Sequence, residues 1–211
     1  EVHAYADRGL SVNRNHSLND ATAPYVLISD DDLEYSPEGL MAVIGRFDAD
    51  PDLALATFRS ATQAERVFPP DGHDLAVPFR NYYAISVEIA LRRDAVERFG
   101  LRFSPLAGIG APELIAGEED LFVHHAIISG CRARYFDIMI ARHAGSTTAE
   151  RQSGRPELVR TKGAVLTVVR GVPGSLMRFP LEAARCGGPW LRNCGLLLGG
   201  MFYALKHRQE L

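Results

Sequence analysis

Apolar residues along the chain form short runs of strand length that alternate with segments of helical spacing. Strands are predicted for four such runs, at residues 25–28, 53–58, 84–91 and 133–141. Helical spacing and helix-end signals predict one helix before the first strand, at residues 11–21, and three between the strands, at residues 36–47, 94–100 and 118–130. Strands that alternate with helices indicate an α/β fold, with helices flanking a sheet.

Two serines are predicted to begin helices. Ser36 precedes Pro37 and Glu38, and this order favours a helix start with the serine as N-cap and the proline in the first turn. Ser11 is expected to cap the helix of residues 11–21 in the same way.

Residues 150–211 differ in composition from residues 1–149. They hold 10 of the 23 Lys and Arg residues but only 4 of the 26 Asp and Glu residues, and long parts of them are apolar. We therefore divide the chain into a domain of residues 1–149 and a basic, apolar helical region of residues 150–211. Within this region Pro173, Pro180 and Pro189 are expected to separate short helices.

Charge and cysteine usage limit the class of protein. The net charge of −3 gives no indication of a nucleic-acid partner, and none is predicted. The three cysteines lack the paired spacing of a disulfide framework or a zinc site, so we expect a reducing, cytoplasmic setting. The longest apolar stretch, residues 195–205, is too short to span a bilayer.

Three consecutive aspartates follow the first predicted strand. Asp30, Asp31 and Asp32 come directly after an apolar run, and open α/β sheets bind ligands at the C-terminal ends of strands. Adjacent carboxylates repel one another, and a divalent cation would neutralise them. The alternative is an acidic loop that caps the next helix.

A second acidic group opens the predicted helix at residue 118. Glu118, Glu119 and Asp120 follow a glycine-rich loop of residues 103–118, in which Gly108 and Gly110 would let the backbone approach a ligand closely. His143 comes after a later strand. Read alone, the three acids are equally compatible with the preference of acids for a helix N-terminus.

Taken in this order, these residues resemble the family 2 glycosyltransferases of the GT-A fold, especially those of bacterial surface-polysaccharide clusters. The resemblance covers roughly residues 5–150. It rests on four segments of the chain, namely residues 9–15 (GLSVNRN), 30–32 (DDD), 108–120 (from GIGA to GEED) and 143–147 (HAGST).

The resemblance implies an α/β GT-A fold, with a Rossmann-like mixed sheet, flanking helices and a C-terminal helical tail. It also implies an inverting, metal-dependent transfer of a sugar from a nucleotide-diphosphate sugar, a UDP-sugar above all, to a hydroxyl acceptor. The acceptor would be a glycan or a lipid-linked glycan of the cell envelope or capsule.

Roles are carried over from the family position by position. Asp120 would be the general base, and Glu119 would orient the acceptor or share that role. Asp32 would be the metal ligand of the DxD motif, with Asp30 and His143 completing the environment of a Mg²⁺ or Mn²⁺ ion. The donor would contact six residues, namely Arg14, Asn15, Asp30, Asp31, Gly108 and Gly110.

This chemistry explains the residue types. A divalent cation stabilises the charge that develops on the nucleoside-diphosphate leaving group, and carboxylate oxygens suit Mg²⁺ or Mn²⁺. An acceptor hydroxyl is a weak nucleophile and needs a carboxylate base. A single base without a covalent intermediate implies direct displacement with inversion at the anomeric carbon.

The chain departs from the family pattern at its start. Family members begin with a strand, a turn that holds the nucleotide base, a helix and a second strand, and only then reach the segment that here is residues 9–15. We therefore expect the first part of the nucleotide-binding half to be missing. Two alternatives follow, a non-catalytic binding or scaffold remnant at the membrane surface and a metal-dependent phosphohydrolase or nucleotidyltransferase.

The C-terminal region has the composition of an interfacial helix. Residues 185–208 combine apolar side chains with flanking Arg and Lys, which favours contact with the inner surface of the cytoplasmic membrane. A helix packed on the domain and a contact between copies of the chain in a homo-oligomer are the alternatives.

Overall fold

The computed structural model describes residues 3–31, 33–61, 66–143 and 155–211, and for His143 the backbone alone. These residues fall into two compact units. The helical unit comprises residues 1–16, 103–122 and 148–211, and the sheet unit comprises residues 17–102 and 123–147.

Six α-helices lie in the described residues, α1 (Leu10–Asp20), α2 (Pro37–Ala49), α3 (Arg93–Arg98), α4 (Glu118–Ile128), α5 (Pro156–Arg185) and α6 (Trp190–Lys206). A short 3₁₀ helix (Ser86–Glu88) replaces the middle of the strand predicted at residues 84–91. The strands are β1 (Tyr25–Leu27), β2 (Leu33–Tyr35), β3 (Leu53–Ala61), β4 (His73–Asp74), β5 (Ile89–Arg92) and β6 (Arg132–His143). Residues 3–9 contain no strand, although their apolar residues would suit one.

The sheet unit is built on a mixed sheet, as predicted. Its strand order is β1-β5-β3-β6-β2, with β4 paired to β6. The long central strands β3 and β6 run parallel, and every other pair is antiparallel. β1 lies at one end of this order, and the chain reaches Asp30 and Asp31 within four residues of its last residue, Leu27.

Helix α2 covers the sheet and begins where the sequence predicts. The Ser36 side chain accepts a hydrogen bond from the Gly39 N–H at 3.0 Å, and Pro37 stands in the first turn. A side chain at Gly39 would collide with the backbone at Met139 and Ile140, so glycine permits close contact with β6. The core includes Val43, Phe47, Leu53, Phe58, Phe136 and Ile140.

In the helical unit α5 and α6 pack against each other. Glycines allow their backbones to touch, since a Cβ at Gly163 would overlap the Leu197 carbonyl and a Cβ at Gly200 would overlap the Arg160 carbonyl. The expectation of short helices separated at each proline is wrong at Pro180, which lies inside α5. The helix is instead kinked at Gly171, whose φ of 70° is not helical.

Two small apolar clusters stabilise the helical unit. The first joins α5 and α6 to the loop of residues 103–118, and its buried members are Ala107, Leu114, Leu121, Ala164 and Ala204. The second lies between α5 and α6, and its buried members are Val159, Phe179, Ala183, Leu197 and Met201. None of the helices in the described ranges combines the length and hydropathy needed to cross a bilayer.

Candidate active site

Asp30 and Asp31 lie in the sheet unit, just after β1. The preceding residue Ile28 is buried and its N–H donates to the Ile89 carbonyl, so the chain stays anchored to β5 up to this point. Both aspartates are exposed. Asp32, the predicted metal ligand, lies outside the described residues.

A buried ion pair marks the second acidic group, in the helical unit. Glu118 begins α4 and is 4% exposed, and a guanidinium nitrogen of Arg14, itself 7% exposed, lies 3.2 Å from its Oε1. The same nitrogen lies 3.4 Å from Oε1 of Glu119. The Arg14 guanidinium therefore faces two carboxylates, and the nearer one, on Glu118, lies 104 residues later in the sequence.

Burial and a neighbouring negative charge favour the protonated form of Glu118. Burial is the main cause, and the negative charge of Glu119 the second, of a rise in the pKa of Glu118 to about 7. Backbone hydrogen bonding and the charge of Arg14 act in the opposite direction and only partly offset this rise. Glu118 is thus poised between its neutral and ionised forms near neutral pH.

Asp120 experiences the same two effects. The residue is only partly exposed to solvent. Burial and, second, the charge of Glu119 raise the pKa of Asp120 to about 7. A carboxyl group with this pKa can accept a proton at neutral pH and hold it, which is the property of a general base.

The start of α1 fastens the glycine-rich loop in place. The Leu10 N–H donates to the Ile109 carbonyl at 2.9 Å, and the Ser11 hydroxyl donates to the Ala107 carbonyl at 2.6 Å. Ser11 is therefore not an N-cap, because it lies inside α1 and its buried hydroxyl bonds to the loop instead. Asn15 extends the attachment, donating to the Phe103 carbonyl and accepting from the Phe103 N–H.

Gly108 and Gly110 are required by this packing. Their φ angles of 104° and 89° lie in the left-handed region. A Cβ at Gly108 would lie 3.0 Å from both Glu118 Cδ and Ser11 Oγ, and a Cβ at Gly110 would lie 3.1 Å from the Gly9 Cα. The loop backbone therefore runs directly beside the buried acid.

The helical unit thus contains six of the predicted site residues, namely Arg14, Asn15, Gly108, Gly110, Glu119 and Asp120. Asp30 and Asp31 belong to the sheet unit. The predicted metal ligands Asp32 and the His143 side chain are outside the described part, within which no three His, Cys, Asp or Glu side chains form a group that could hold a metal ion.

Sequence reasoning missed Glu118 and the partner of Arg14. Arg14 and Asn15 are predicted to contact the donor, but in the structure Arg14 pairs with acids and Asn15 with backbone. Arg14 also lies over the Phe103 ring, 5.4 Å from its centroid, and that ring stacks on Phe122. One signal in the sequence could have indicated a buried partner for Arg14. Glu118 is a third acid at a helix start that already holds Glu119 and Asp120.

Residues 2–106 match glycosyl transferase family 2. This part of the chain belongs to that family. The match covers α1, the aspartates after β1 and most of the sheet unit, and it ends where the glycine-rich loop begins. No curated protein matches this chain by sequence.

Solved structures share its fold. The crystal structure of S. aureus TarS 1–349 aligns with a TM-score of 0.53 at 15% identity, over 96% of this chain and 72% of that one. TarS 1–349 in complex with UDP-GlcNAc aligns with a TM-score of 0.51 at 16% identity, over 83% of this chain and 51% of that one. The predicted GT-A fold, with helices at the C-terminal end, is therefore confirmed.

The chain spans only part of the longest of these structures. Against S. aureus TarS it covers 30% of that chain, with a TM-score of 0.50 and 17% identity. At these identities the likeness concerns the fold.

Proposed function

We propose that this chain carries the catalytic part of an inverting glycosyltransferase, which moves a sugar from a nucleotide-diphosphate sugar to a hydroxyl acceptor. The observation that carries the proposal is Asp120, a carboxyl group at the start of α4 whose pKa is raised to about 7. Family membership and the GT-A fold support the same reaction class.

Asp120 acts as the base in this reaction. Its carboxylate takes the proton of the acceptor hydroxyl while the acceptor oxygen forms a bond to the anomeric carbon and the bond to the diphosphate oxygen breaks. General base catalysis of this kind contributes about 10² to 10⁴-fold to the rate. Because a single displacement occurs on the face opposite the leaving group, the anomeric configuration inverts.

Arg14, Glu118 and Glu119 position this base. The Arg14 guanidinium holds both glutamates at the first turn of α4, so the backbone that carries Asp120 is fixed before substrate binds. A fixed carboxylate loses little entropy when it meets the acceptor hydroxyl. Glu119, with its side chain 19% exposed, remains a proposed partner for orienting the acceptor.

The donor is proposed to be a UDP-sugar. TarS 1–349, which shares the fold, has been solved with UDP and with UDP-GlcNAc. Asp30, Asp31 and the adjacent Asp32 are the proposed donor and metal contacts, because exposed carboxylate oxygens are the ligands that Mg²⁺ and Mn²⁺ prefer. The bound ion would supply positive charge at the diphosphate. His143 is a further predicted ligand of this ion.

The acceptor is proposed to be a glycan or a lipid-linked glycan used in cell-envelope or capsular polysaccharide synthesis. A lipid-linked acceptor would require the enzyme to work at the inner face of the cytoplasmic membrane. The resemblance to enzymes of surface-polysaccharide clusters supports this proposal.

A thermal-shift panel of nucleotide sugars, with and without Mn²⁺, tests the proposal. We expect a UDP-sugar together with Mn²⁺ to raise the melting temperature, and Asp32→Asn to remove the effect. Asp52→Asn, which changes an exposed aspartate of the sheet unit, is the matched control and should keep the response.

Product analysis separates the proposed reaction from its alternatives. Release of UDP with transfer of the sugar supports a glycosyltransferase, whereas release of phosphate or pyrophosphate indicates a phosphohydrolase or nucleotidyltransferase. The absence of stabilisation by every nucleotide tested would overturn the proposal for this chain and favour a non-catalytic binding module.

A further inference from the structure

The C-terminal half of α5 exposes an apolar stripe. Six apolar positions, three or four residues apart, lie on the surface, namely Pro173, Leu176, Met177, Pro180, Leu181 and Ala184. Met177 is 85% exposed and Leu181 is 49% exposed. The other side of the same helix, with Phe179 and Ala183, is buried with residues of α6, so the stripe faces away from that helix.

Trp190 extends the stripe at the start of α6. Its indole N–H donates to the Pro180 carbonyl at 3.0 Å, which places the ring beside the stripe, and the residue remains 46% exposed. A tryptophan with a satisfied N–H and an exposed ring is typical of the boundary between water and lipid.

The charged residues next to the stripe in sequence are mainly positive. Residues 170–192 contain four Arg residues and a single acid, Glu182. Glu182 is 3% exposed and forms ion pairs with Lys162, Arg178 and Arg185. Its negative charge is thus buried and neutralised.

Two of these cations border the stripe. Arg178 and Arg185 stand three residues before and four residues after Leu181, so helical geometry places them along its edge. Arg170 and Arg192 are exposed near its two ends. An apolar stripe bordered by cations, with the local acid neutralised, matches a surface that is both apolar and anionic.

We propose that the stripe of residues 173–184, with Trp190, docks on an anionic lipid surface, with α5 lying in the plane of the interface. A second copy of the chain fits less well, because two positively charged surfaces would repel each other. The surface overlaps only the start of the predicted contact segment, residues 185–208, since most of its apolar area lies earlier, on α5.

Co-sedimentation of the 211-residue protein with vesicles tests the proposal. We expect binding to vesicles of phosphatidylcholine with phosphatidylglycerol, much weaker binding to phosphatidylcholine alone, and loss of binding as salt is raised. The double variant Met177→Glu with Leu181→Glu should lower the partition coefficient about tenfold or more.

Met41→Glu is the matched control, because Met41 is 67% exposed on α2 and lies outside the stripe. It should bind vesicles as the unchanged protein does. Met41, Met177 and Leu181 are all exposed, so the variants at these positions should keep the melting temperature of the unchanged protein. Melting temperatures are measured in parallel. No nucleotide or acceptor is present, so the result is independent of the proposed transfer reaction.

Three results would overturn the proposal. The first is equal binding by the unchanged protein and the double variant. The second is loss of binding with Phe202→Glu, on the exposed side of α6, but not with the double variant, which would assign the contact to α6. The third is a dimer in sedimentation velocity that the double variant dissociates without any change in vesicle binding.

Discussion

The two acidic groups of this chain carry the same functional group, the carboxylate, in different surroundings. Asp30 and Asp31 are exposed after an edge strand of the sheet unit. Glu118 is buried at the start of α4 in the helical unit, faces a buried arginine and has a pKa of about 7, as does Asp120. The first group can offer negative oxygens to a cation, and the second can take up and release a proton.

The difference shows that clustered carboxylates do not by themselves define a metal site. In water, neighbouring aspartates stay ionised at modest cost, and a cation can join them. In a buried site the same repulsion is relieved by protonation instead. Burial, which sequence does not report directly, therefore separates the two kinds of chemistry.

The largest expected effect comes from removing the base. Asp120→Asn should lower the turnover number by about 10² to 10⁴-fold, because the amide cannot accept the acceptor's proton. Donor binding, measured by thermal shift with a UDP-sugar and Mn²⁺, should persist. Asp94→Asn, at an exposed acid in the first turn of α3, is the control and should keep full turnover. Unchanged turnover in Asp120→Asn would remove Asp120 from the mechanism.

Removing the cation that faces the buried acids should come next. Arg14→Gln leaves Glu118 buried without its ion pair, and breaking a buried pair costs about 3–5 kcal/mol of folding stability. Urea unfolding at pH 8, where Glu118 would be ionised, measures this loss. Arg14→Lys keeps the charge and should recover part of it. Equal stability of Arg14→Gln and the unchanged protein would contradict the ion pair's role.

Crowding the same acid from the loop should have a smaller effect. Gly108→Ala places a methyl group 3.0 Å from Glu118 Cδ at a φ of 104°, and we expect a loss of about 1–3 kcal/mol in urea unfolding. Gly130→Ala is the matched control, because its φ of 88° is also left-handed but no atom lies within 4 Å of the new methyl group. A similar loss in both variants would attribute the effect to backbone strain alone.

The smallest effect concerns stability and pH. The folded-state pKa of Asp120, about 7, lies above the ordinary aspartate value of 3.8, so the folded protein holds the proton more tightly than the unfolded chain. The stability contributed by this group is therefore full below about pH 4 and is lost as pH rises towards 7.

Melting temperatures between pH 5 and pH 8 measure this dependence. Asp120→Asn should lose less melting temperature over that range than the unchanged protein, whereas Asp120→Glu keeps an ionisable group and should retain the dependence. Identical curves for Asp120→Asn and the unchanged protein would contradict the raised pKa.

Local signals in the sequence predicted local structure well. The Ser36 cap, the strand at residues 53–58 and the helix that begins at Glu118 are all present, because each depends on neighbours a few residues away. Ser11 was misread for the same reason, since its hydroxyl bonds to Ala107, 96 residues later, and no local rule reports such a partner.

The candidate site could be predicted only in part. Residue order indicated that Glu119 and Asp120 belong together, but the pairing of Arg14 with Glu118 depends on how the chain folds across 104 residues. The roles of the aspartates after β1 remain predictions, because exposure alone does not identify a ligand.

The close approach of α5 and α6 at Gly163 and Gly200 has a consequence for finding relatives of this protein. Neither position has room for even a methyl group, and each faces the backbone of the other helix, so a larger residue at one site cannot be compensated by a smaller one at the other. We expect homologues that keep this helix pair to retain both glycines with nearly constant spacing, while the surrounding apolar residues drift. That pair of positions can serve as a filter when distant sequences are compared over the C-terminal region.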